Sequence, residues 1–189
     1  HIYASTEIGV GFAVNDGRAG FPESYLSPEA PAGLAMRVED GMLWLRPPEA
    51  HRTRYLGDNQ LDIDAAGYVR SGDQVEIRDG RVHFLGRDSG VVNVGGVKVY
   101  PERVEAVLTA DPRVSLAQVT AKSSPITGNL LVATIVPADP AADRAALKRE
   151  LMAHAQAHLE REAVPAMWRF ADHLETNAAG KIVRSQAKA

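Results

Sequence analysis

Alternating apolar and polar positions between residues 70 and 105 predict two tight β-hairpins in tandem, followed by a short helix. The first hairpin pairs residues 74–77 with residues 81–85 across Asp79-Gly80, a dipeptide that accepts the positive φ angles of a type I′ turn. The sequence changes in character between this hairpin and the next, which indicates a boundary between two domains at this point.

The second hairpin covers residues 91–100 and turns at Gly95-Gly96, which permit the same backbone angles. A two-residue loop gives a register that pairs Val94 with Val97, Asn93 with Lys98 and Val92 with Val99. One face of this ribbon then carries only valines, and the other carries polar side chains and Tyr100. A ribbon tipped by two glycines can present bare backbone to a ligand, but an ordinary edge ribbon has the same pattern.

Residues 1–69 contain short apolar runs separated by Gly and Pro, which predicts short strands and loops of a barrel or sandwich fragment. Within this region, Glu39-Asp40-Gly41 is the expected turn of a further hairpin. No segment of the region has a convincing helical period.

The pattern becomes helical at Pro101. Proline at the first helical position and apolar Val104, Val107 and Leu108 on one face predict a helix that ends before Asp111. This short amphipathic helix is expected to cover one side of a sheet.

Two strands, a longer helix and a last strand complete the predicted order. Residues 114–121, 130–136 and 166–170 are apolar runs that we expect to form strands. The helix before the last strand has an apolar residue at every fourth position and ends at Pro165. This order gives residues 90–189 an α+β character.

Composition restricts the classes of function. The chain has 189 residues, a net charge of −3 at pH 7 and no run of Lys or Arg, so nucleic acid and anionic membrane are poor candidates for a partner. Its longest apolar run, residues 130–136, is far shorter than the roughly 20 residues of a membrane-spanning helix. Cysteine is absent, which excludes disulfides and thiolate chemistry and agrees with a cytoplasmic protein. The chain begins at His1 without a methionine, and we expect it to be a piece of a longer polypeptide.

Two tempting ligand patterns are incomplete. Residues 90–98 contain glycines and a lysine but lack the GK[ST] ending of a phosphate-binding loop. His154 and His158 lie one helical turn apart, but no third ligand is spaced for zinc. We therefore expect both histidines to lie on a solvated helix face.

Four short motifs change the interpretation when they are taken together. They are Tyr3-Ala4-Ser5-Thr6-Glu7, Ser71-Gly72-Asp73, Gly86-Arg87 leading to Gly95-Gly96, and the tail sequence NAAGKIVR at residues 177–184. Their order and spacing resemble the later core motifs of the acyl-adenylate-forming superfamily. This superfamily contains acyl-CoA synthetases, adenylation domains of nonribosomal peptide synthetases and firefly luciferase. The resemblance covers essentially the whole chain.

The resemblance implies a role around ATP for each matching residue. Tyr3 would stack on adenine, Thr6 would contact the phosphates, and Glu7 would hold Mg²⁺, since a hard dication prefers carboxylate oxygen. Asp73 would accept both ribose hydroxyls, and Arg87 would reach the same ribose.

The family lysine is matched by Lys181, which would bridge the substrate carboxylate and the α-phosphate. The implied activity is that of an AMP-forming acyl-CoA synthetase. Such an enzyme uses ATP to convert a carboxylic acid to an acyl-adenylate and then passes the acyl group to coenzyme A.

The implied fold is α+β and has two domains. Residues 1–86 would be the β-rich, barrel-like end of the large adenylation domain, residues 87–89 the hinge, and residues 90–189 a small, mobile α+β carboxy-terminal lid. The family usually has Asp or Lys two residues after the arginine as its hinge. Here that position is Ser89, with Asp88 one place earlier.

Rotation about this hinge would separate the two steps of the reaction. It would withdraw Lys181 from the nucleotide and bring in Gly95, Gly96 and Lys98 to shape a tunnel for the thiol. Bare glycine backbone would let a narrow pantetheine arm pass.

Two other interpretations stay open. The acceptor could be the pantetheine of a carrier protein, as in adenylation domains and fatty acyl-AMP ligases, or the chain could be a non-catalytic nucleotide-binding or interaction module. The family's phosphate loop and acid pocket precede the Thr-Glu motif and have no counterpart here. We therefore expect the missing amino-terminal part of the same enzyme to be a partner and the chain alone to be inactive.

Overall fold

The computed structural model describes residues 2–5, 10–27, 34–46 and 62–175. The chain divides into two compact units, His1–Ser89 and Gly90–Ala189. Each unit has its own cluster of buried apolar side chains. The described ranges contain both strands and helices, with strands in the majority, and the predicted α+β fold class is confirmed.

The first unit is built from antiparallel strands. Those in its described part are β1 (Ile2–Ser5), β2 (Val10–Ala13), β3 (Phe21–Pro22), β4 (Ala35–Glu39), β5 (Met42–Arg46), β6 (Val69–Arg78) and β7 (Arg81–Arg87). Five of them form a sheet in the order β3-β7-β6-β5-β4, and β1 pairs with β2. A short 3₁₀ segment, Glu23–Leu26, follows β3.

Turn dipeptides set the hairpin registers of this sheet. The strands on either side of Asp79-Gly80 and of Asp40-Gly41 pair directly across these dipeptides. The φ angles are 53° and 69° in the first turn and 51° and 74° in the second, the left-handed values of a type I′ turn. Both turns lie where the sequence predicts them, although β6 and β7 extend beyond the predicted segments.

The core of the first unit lies on one face of the five-stranded sheet. Its members on these five strands are Phe21, Met36, Leu43, Leu45, Val69, Val75 and Val82, and the cluster is completed by Phe12 of β2 and by Val14 and Leu34, which lie just outside the strands. Trp44 lies between two of these residues on β5 and points to the other face. There the Arg37 guanidinium lies 5.2 Å from the centroid of the indole ring.

The second unit combines a sheet, a separate ribbon and two helices. Its described strands and α-helices are β8 (Val92–Val94), β9 (Val97–Val99), α1 (Pro101–Thr109), β10 (Val114–Ser124), β11 (Gly128–Pro137), α2 (Arg144–His158) and β12 (Met167–Phe170). The sheet order is β10-β11-β12, with β10 antiparallel and β12 parallel to β11. Strands β8 and β9 form the ribbon with the predicted register.

Both helices begin where the sequence predicts them, but α2 ends at His158 and not at Pro165, because the backbone is already extended at Leu159. Pro101 is at the first position of α1, and the Asp143 side chain accepts two amides in the first turn of α2. Leu108 of α1 and Leu151 of α2 are fully buried in the second core. On β12, the indole of Trp168 donates a hydrogen bond of 3.0 Å to the Pro165 carbonyl. Within the described ranges, neither helix has both the length and the apolar content that crossing a bilayer requires.

The expectation for the two histidines is correct for His158 and wrong for His154. His158 is exposed, but His154 is half-buried, and its Nε2 lies 3.1 Å from the Val107 carbonyl of α1. A ring nitrogen that faces a carbonyl must carry the proton and donate it. The physical reason for the difference is that α2 packs this turn against the end of α1.

Candidate functional site

Ser71, Gly72 and Asp73 place a carboxylate on the core-facing side of β6. Asp73 is 8% exposed. The Ser71 hydroxyl donates to the Leu43 carbonyl over 2.7 Å and accepts the Asp73 amide over 3.0 Å. Gly72 has a φ of 75°, a left-handed value that residues with a Cβ rarely adopt. This motif therefore fixes an acidic side chain in largely apolar surroundings.

A β-bulge places Arg87 opposite that carboxylate. The hairpin register shifts by one residue between Gln74 and Val75, so Asp73 pairs with Arg87. Without the shift, Gly72 would face Arg87. The Arg87 Nε lies 2.8 Å from Asp73 Oδ1, and half of the arginine side chain remains exposed.

Tyr3 reaches the same carboxylate from β1. Its hydroxyl donates to Asp73 Oδ2 over 2.8 Å, although 70 residues separate the two positions. Burial, and after it the negative charge of Asp73, raises the pKa of the Tyr3 phenol. The phenol therefore stays protonated and acts as a donor at neutral pH.

Phe84 joins this group, although no sequence motif pointed to it. The rings of Tyr3 and Phe84 are stacked, with centroids 5.2 Å apart and planes at 9°. An apolar cavity of about 200 Å³ opens beside them and is also lined by Phe12 and Phe21. Phe84 is 40% exposed. A large apolar side chain at an exposed position of β7 is the signal that could have marked Phe84 as a candidate site residue.

The Asp73 cluster, defined as Tyr3, Asp73, Phe84 and Arg87, combines an acceptor, two donors and an aromatic stack. A carboxylate can accept two hydroxyl groups, and a guanidinium can donate to a neighbouring oxygen. A flat heterocycle could stack on Tyr3 by exchanging with Phe84. The set suits a ligand that joins a flat ring to a pair of hydroxyl groups.

Contacts hold the residues on both sides of Ser89. Asp88 is 2.7 Å from the Arg70 guanidinium of β6, within the first unit. In the second unit, a Cβ at Gly90 would come within 3.2 Å of the Glu102 carboxylate, so this glycine lies close against α1. Ser89 is exposed and stands between these two held neighbours, in the 3₁₀ segment Asp88–Gly90.

The tip of the β8–β9 ribbon presents open backbone. Gly95 and Gly96 have φ angles of 59° and 92°, and a Cβ on either would meet no described atom within 4 Å. Val94 and Val99 anchor the ribbon in the second core, while the Lys98 side chain is exposed. The ribbon is therefore fastened through its valine face and bare at its end.

Comparison with known proteins identifies the family. The family model for the AMP-binding enzyme C-terminal domain matches residues 103–181. A medium-chain acyl-CoA ligase, Mig, from Mycobacterium avium is 30% identical over 167 residues, which cover 85% of this chain and 30% of the ligase. The chain belongs to the acyl-adenylate-forming superfamily.

Two further proteins are similar in sequence or in fold. An isonitrile lipopeptide synthase from Streptomyces coeruleorubidus is 36% identical over 141 residues, which cover 74% of this chain and 9% of that protein. The solved structure of o-succinylbenzoate CoA synthetase (MenE) from Bacillus subtilis, in complex with the acyl-adenylate intermediate OSB-AMP, has a similar fold. It superposes with a TM-score of 0.70 at 23% identity, over 99% of this chain and 40% of that one. The chain thus spans less than half the length of these relatives.

The site residues predicted from the sequence are distributed over both units. Thr6, Glu7 and Lys181 lie outside the described residues. The structure brings Tyr3, Asp73 and Arg87 together in the first unit, and the glycine tip forms in the second. In the described part of the chain, no group of three or more His, Asp or Glu side chains is arranged to hold a metal ion.

Proposed function

We propose that this chain is the carboxy-terminal portion of an AMP-forming acyl-CoA synthetase of the cytoplasm. Residues 1–86 end its large domain, residues 87–89 are the hinge, and residues 90–189 are the mobile lid. The main observation behind the proposal is the Asp73 cluster, in which one buried carboxylate contacts both Tyr3 and Arg87, two residues that lie far from each other in the sequence. The match to acyl-CoA ligases supports the same activity.

The Asp73 cluster binds the nucleoside part of ATP or AMP in this proposal. The ribose hydroxyls donate to the two oxygens of Asp73, Arg87 donates to the ribose, and the adenine takes the face of Tyr3 now covered by Phe84. The distances of 2.8 Å to each Asp73 oxygen support this, because Oδ2 already accepts a hydroxyl donor, the kind that a ribose offers, and Oδ1 is paired with the guanidinium of Arg87.

The first half-reaction joins the acid to AMP. A carboxylate oxygen of the acid attacks the α-phosphorus, and pyrophosphate leaves. Lys181 bridges both reactants and offsets the negative charge that accumulates on the phosphoryl oxygens, while Thr6 contacts the phosphates. Mg²⁺ held by Glu7 would supply further charge neutralisation on the phosphates.

The second half-reaction transfers the acyl group to coenzyme A. The thiol sulfur attacks the acyl carbon, and AMP leaves. Rotation at Ser89 withdraws Lys181 and brings the Gly95-Gly96 tip to the nucleotide. The exposed Ser89, with held residues on either side, supports a pivot at this position.

Replacing Lys181 in the full-length polypeptide tests the assignment. Lys181→Ala should abolish acid-dependent pyrophosphate exchange and spare thiolysis of a supplied acyl-adenylate, because the lysine acts in the first step only. Lys188→Ala is the matched control, since it removes the same charge from the same tail. Undiminished exchange in Lys181→Ala would contradict the role of this lysine.

A carrier-protein pantetheine is the second candidate acceptor. The 36% identity to an isonitrile lipopeptide synthase supports this acceptor, because that relative is named for a lipopeptide product and not for a CoA thioester. Thioester formation by the full-length polypeptide with free coenzyme A and with holo-carrier protein separates the two acceptors.

Calorimetry of residues 1–189 with AMP tests the non-catalytic alternative, since micromolar affinity of this chain alone would favour a nucleotide-binding module.

A further inference from the structure

The β8–β9 ribbon is short for an element that must hold a defined shape. Each strand has three residues, and among the described strands these two pair only with each other. An isolated two-stranded hairpin is marginally stable in water. The buried Val94 and Val99 fix one face of the ribbon, so the position of its tip depends on contacts made by the other side.

The turn between β10 and β11 supplies those contacts. The Gly95 amide donates to the Thr127 carbonyl over 3.0 Å, and the side-chain amide of Asn129 donates to the Asn93 carbonyl over 3.0 Å. Within the ribbon, the Asn93 side chain accepts the Gly96 amide over 2.8 Å. Two of these hydrogen bonds tie the β8 side of the glycine tip to the neighbouring turn, and the third closes the tip within the ribbon.

Asn129 is the side chain on which this connection depends. It is half-buried, lies at the start of β11 and spans 36 positions of sequence to reach Asn93. The backbone carbonyl of Asn129 also accepts the Thr127 hydroxyl over 2.7 Å, a contact that does not depend on the side chain at position 129. The acceptor on the ribbon is a backbone carbonyl, so the contact does not require a particular side chain at position 93.

We propose that Asn129 is a positioning residue for the thiol-transfer step. It holds the glycine tip through backbone contacts and touches no substrate. The inference rests on the proposed function, in which this tip shapes the thiol tunnel only in the second half-reaction. Loss of the Asn129 donor therefore slows thiol transfer and leaves adenylation intact.

The two half-reactions of the full-length polypeptide test this separation. Asn129→Ala is expected to lower kcat/KM for coenzyme A about tenfold while pyrophosphate exchange stays within about twofold of the parent. Asn129→Asp is expected to behave like Asn129→Ala, since a carboxylate has the same size but lacks the N–H donor. The control is Ser123→Ala, an exposed residue directly opposite Asn129 in the β10–β11 register.

Two kinetic outcomes would overturn the inference. One is an unchanged kcat/KM for coenzyme A in both Asn129 variants, and the other is an equal loss in the two half-reactions. If the parent polypeptide performs no acid-dependent pyrophosphate exchange, the proposed function fails. Amide hydrogen exchange then tests separately whether Asn129 holds the glycine tip.

Amide hydrogen exchange on residues 1–189 measures how firmly Asn129 holds the glycine tip, and it does not depend on catalysis. The amides of Gly95 and Gly96 should exchange about tenfold faster in both Asn129 variants, because the tip opens more often. The amides in the middle of β11 and the Ser123→Ala variant should match the parent chain. Unchanged exchange at Gly95 in both variants would show that Asn129 does not hold the tip.

Discussion

The carboxylate of Asp73 is fixed by contacts that extend into the neighbouring strand. The Ser71 hydroxyl connects β6 to the Leu43 carbonyl and holds the Asp73 amide, so contacts within the protein position the acidic residue. A preorganised acceptor binds hydroxyl groups with a smaller ordering cost than a mobile one. We therefore expect Asp73 to contribute strongly to nucleotide affinity in the proposed ligase.

Asp73→Asn in the full-length polypeptide should raise the KM for ATP about tenfold or more, because a buried site loses a charged acceptor for hydroxyl groups. Steady-state kinetics with ATP as the varied substrate measure the change. Asp79→Asn is the control: it removes the same charge from the same hairpin, at an 86% exposed turn position that Asn also suits. Equal KM values in the two variants would argue against the role of Asp73.

Asp111 is a second buried carboxylate, and its role is structural. It is 6% exposed, and hydrogen bonds from the Arg113 side chain, which outweigh the opposing effect of burial, lower its pKa to about 2. A depressed carboxyl pKa stabilises the fold above the unfolded-state value near 4. The contribution is lost as the pH falls from about 4 through about 2.

Asp111→Asn should lower the free energy of unfolding of the second unit by about 1–2 kcal/mol at pH 7. Urea unfolding of residues 1–189 at pH 7 and at pH values between 4 and 2 measures the difference, which should shrink as the parent Asp111 becomes protonated. The control is Asp172→Asn, because its pair with Arg144 is exposed and such pairs contribute little. A loss independent of pH would exclude the charge as its cause.

Among the elements, hairpin turns are the features that the sequence predicts best. Asp40-Gly41, Asp79-Gly80 and Gly95-Gly96 each adopt left-handed φ angles, which few other dipeptides tolerate. The requirement is local, so neighbouring residues suffice to place the turn and the register next to it. The same holds for α1, whose start is specified by Pro101.

Features that depend on distant contacts were not predictable in this way. The bulge that sets Asp73 opposite Arg87 shifts the register by one residue, and the turn dipeptide alone gives the other pairing. The parallel pairing of β12 with β11 joins strands that are separated by α2. Phe84 was missed because its stacking partner, Tyr3, is far away in the sequence.

The candidate site was predicted through the family resemblance rather than through the pattern of each motif. Gly-Asp alone indicates a turn, and nothing in the spacing of Tyr3 and Asp73 requires them to touch. The structure brings them within 2.8 Å of each other. The assignments of Thr6, Glu7 and Lys181, which lie outside the described residues, stay predictions.

The junction of β3 with β7 depends on the missing side chain of Gly20. A Cβ at Gly20 would lie 2.2 Å from the Val82 carbonyl oxygen, whereas a Cβ at Gly17 would meet no described atom within 4 Å. The two glycines have nearly the same φ, 71° and 70°. Alanine substitution at Gly17 therefore measures the cost of a left-handed backbone alone, and substitution at Gly20 adds the cost of a steric clash.

Gly17→Ala should destabilise the first unit by about 1 kcal/mol, the usual cost of a Cβ at positive φ. Gly20→Ala should cost about 1–3 kcal/mol more, because the Val82 backbone must move to make room. Thermal or urea unfolding of residues 1–189 measures both changes. Equal losses would indicate that β3 shifts away from β7 without cost.

At the scale of the whole molecule, the two units have separate cores. The first core contains Leu43 and the second contains Leu151, and both side chains are fully buried within their own clusters. Residues that share a core lose stability together, whereas separate cores can unfold independently.

Leu151→Ala should destabilise the second unit by about 2–5 kcal/mol, and Leu43→Ala should do the same to the first unit. Amide hydrogen exchange followed by mass spectrometry measures protection in each unit of the 189-residue chain. Protection should fall in β10 and β11 for Leu151→Ala and in β5 and β6 for Leu43→Ala. A loss that spreads across both units in either variant would show that they unfold as one.

The chain contains two tryptophans, and each unit has one of them: Trp44 on β5 and Trp168 on β12. Trp44 lies beside the Arg37 guanidinium, whereas the Trp168 indole donates to a carbonyl, so the two chromophores have different surroundings. Replacing either one with Phe leaves a single tryptophan in a known half of the polypeptide. Intrinsic fluorescence can then follow each half on its own, without any attached dye.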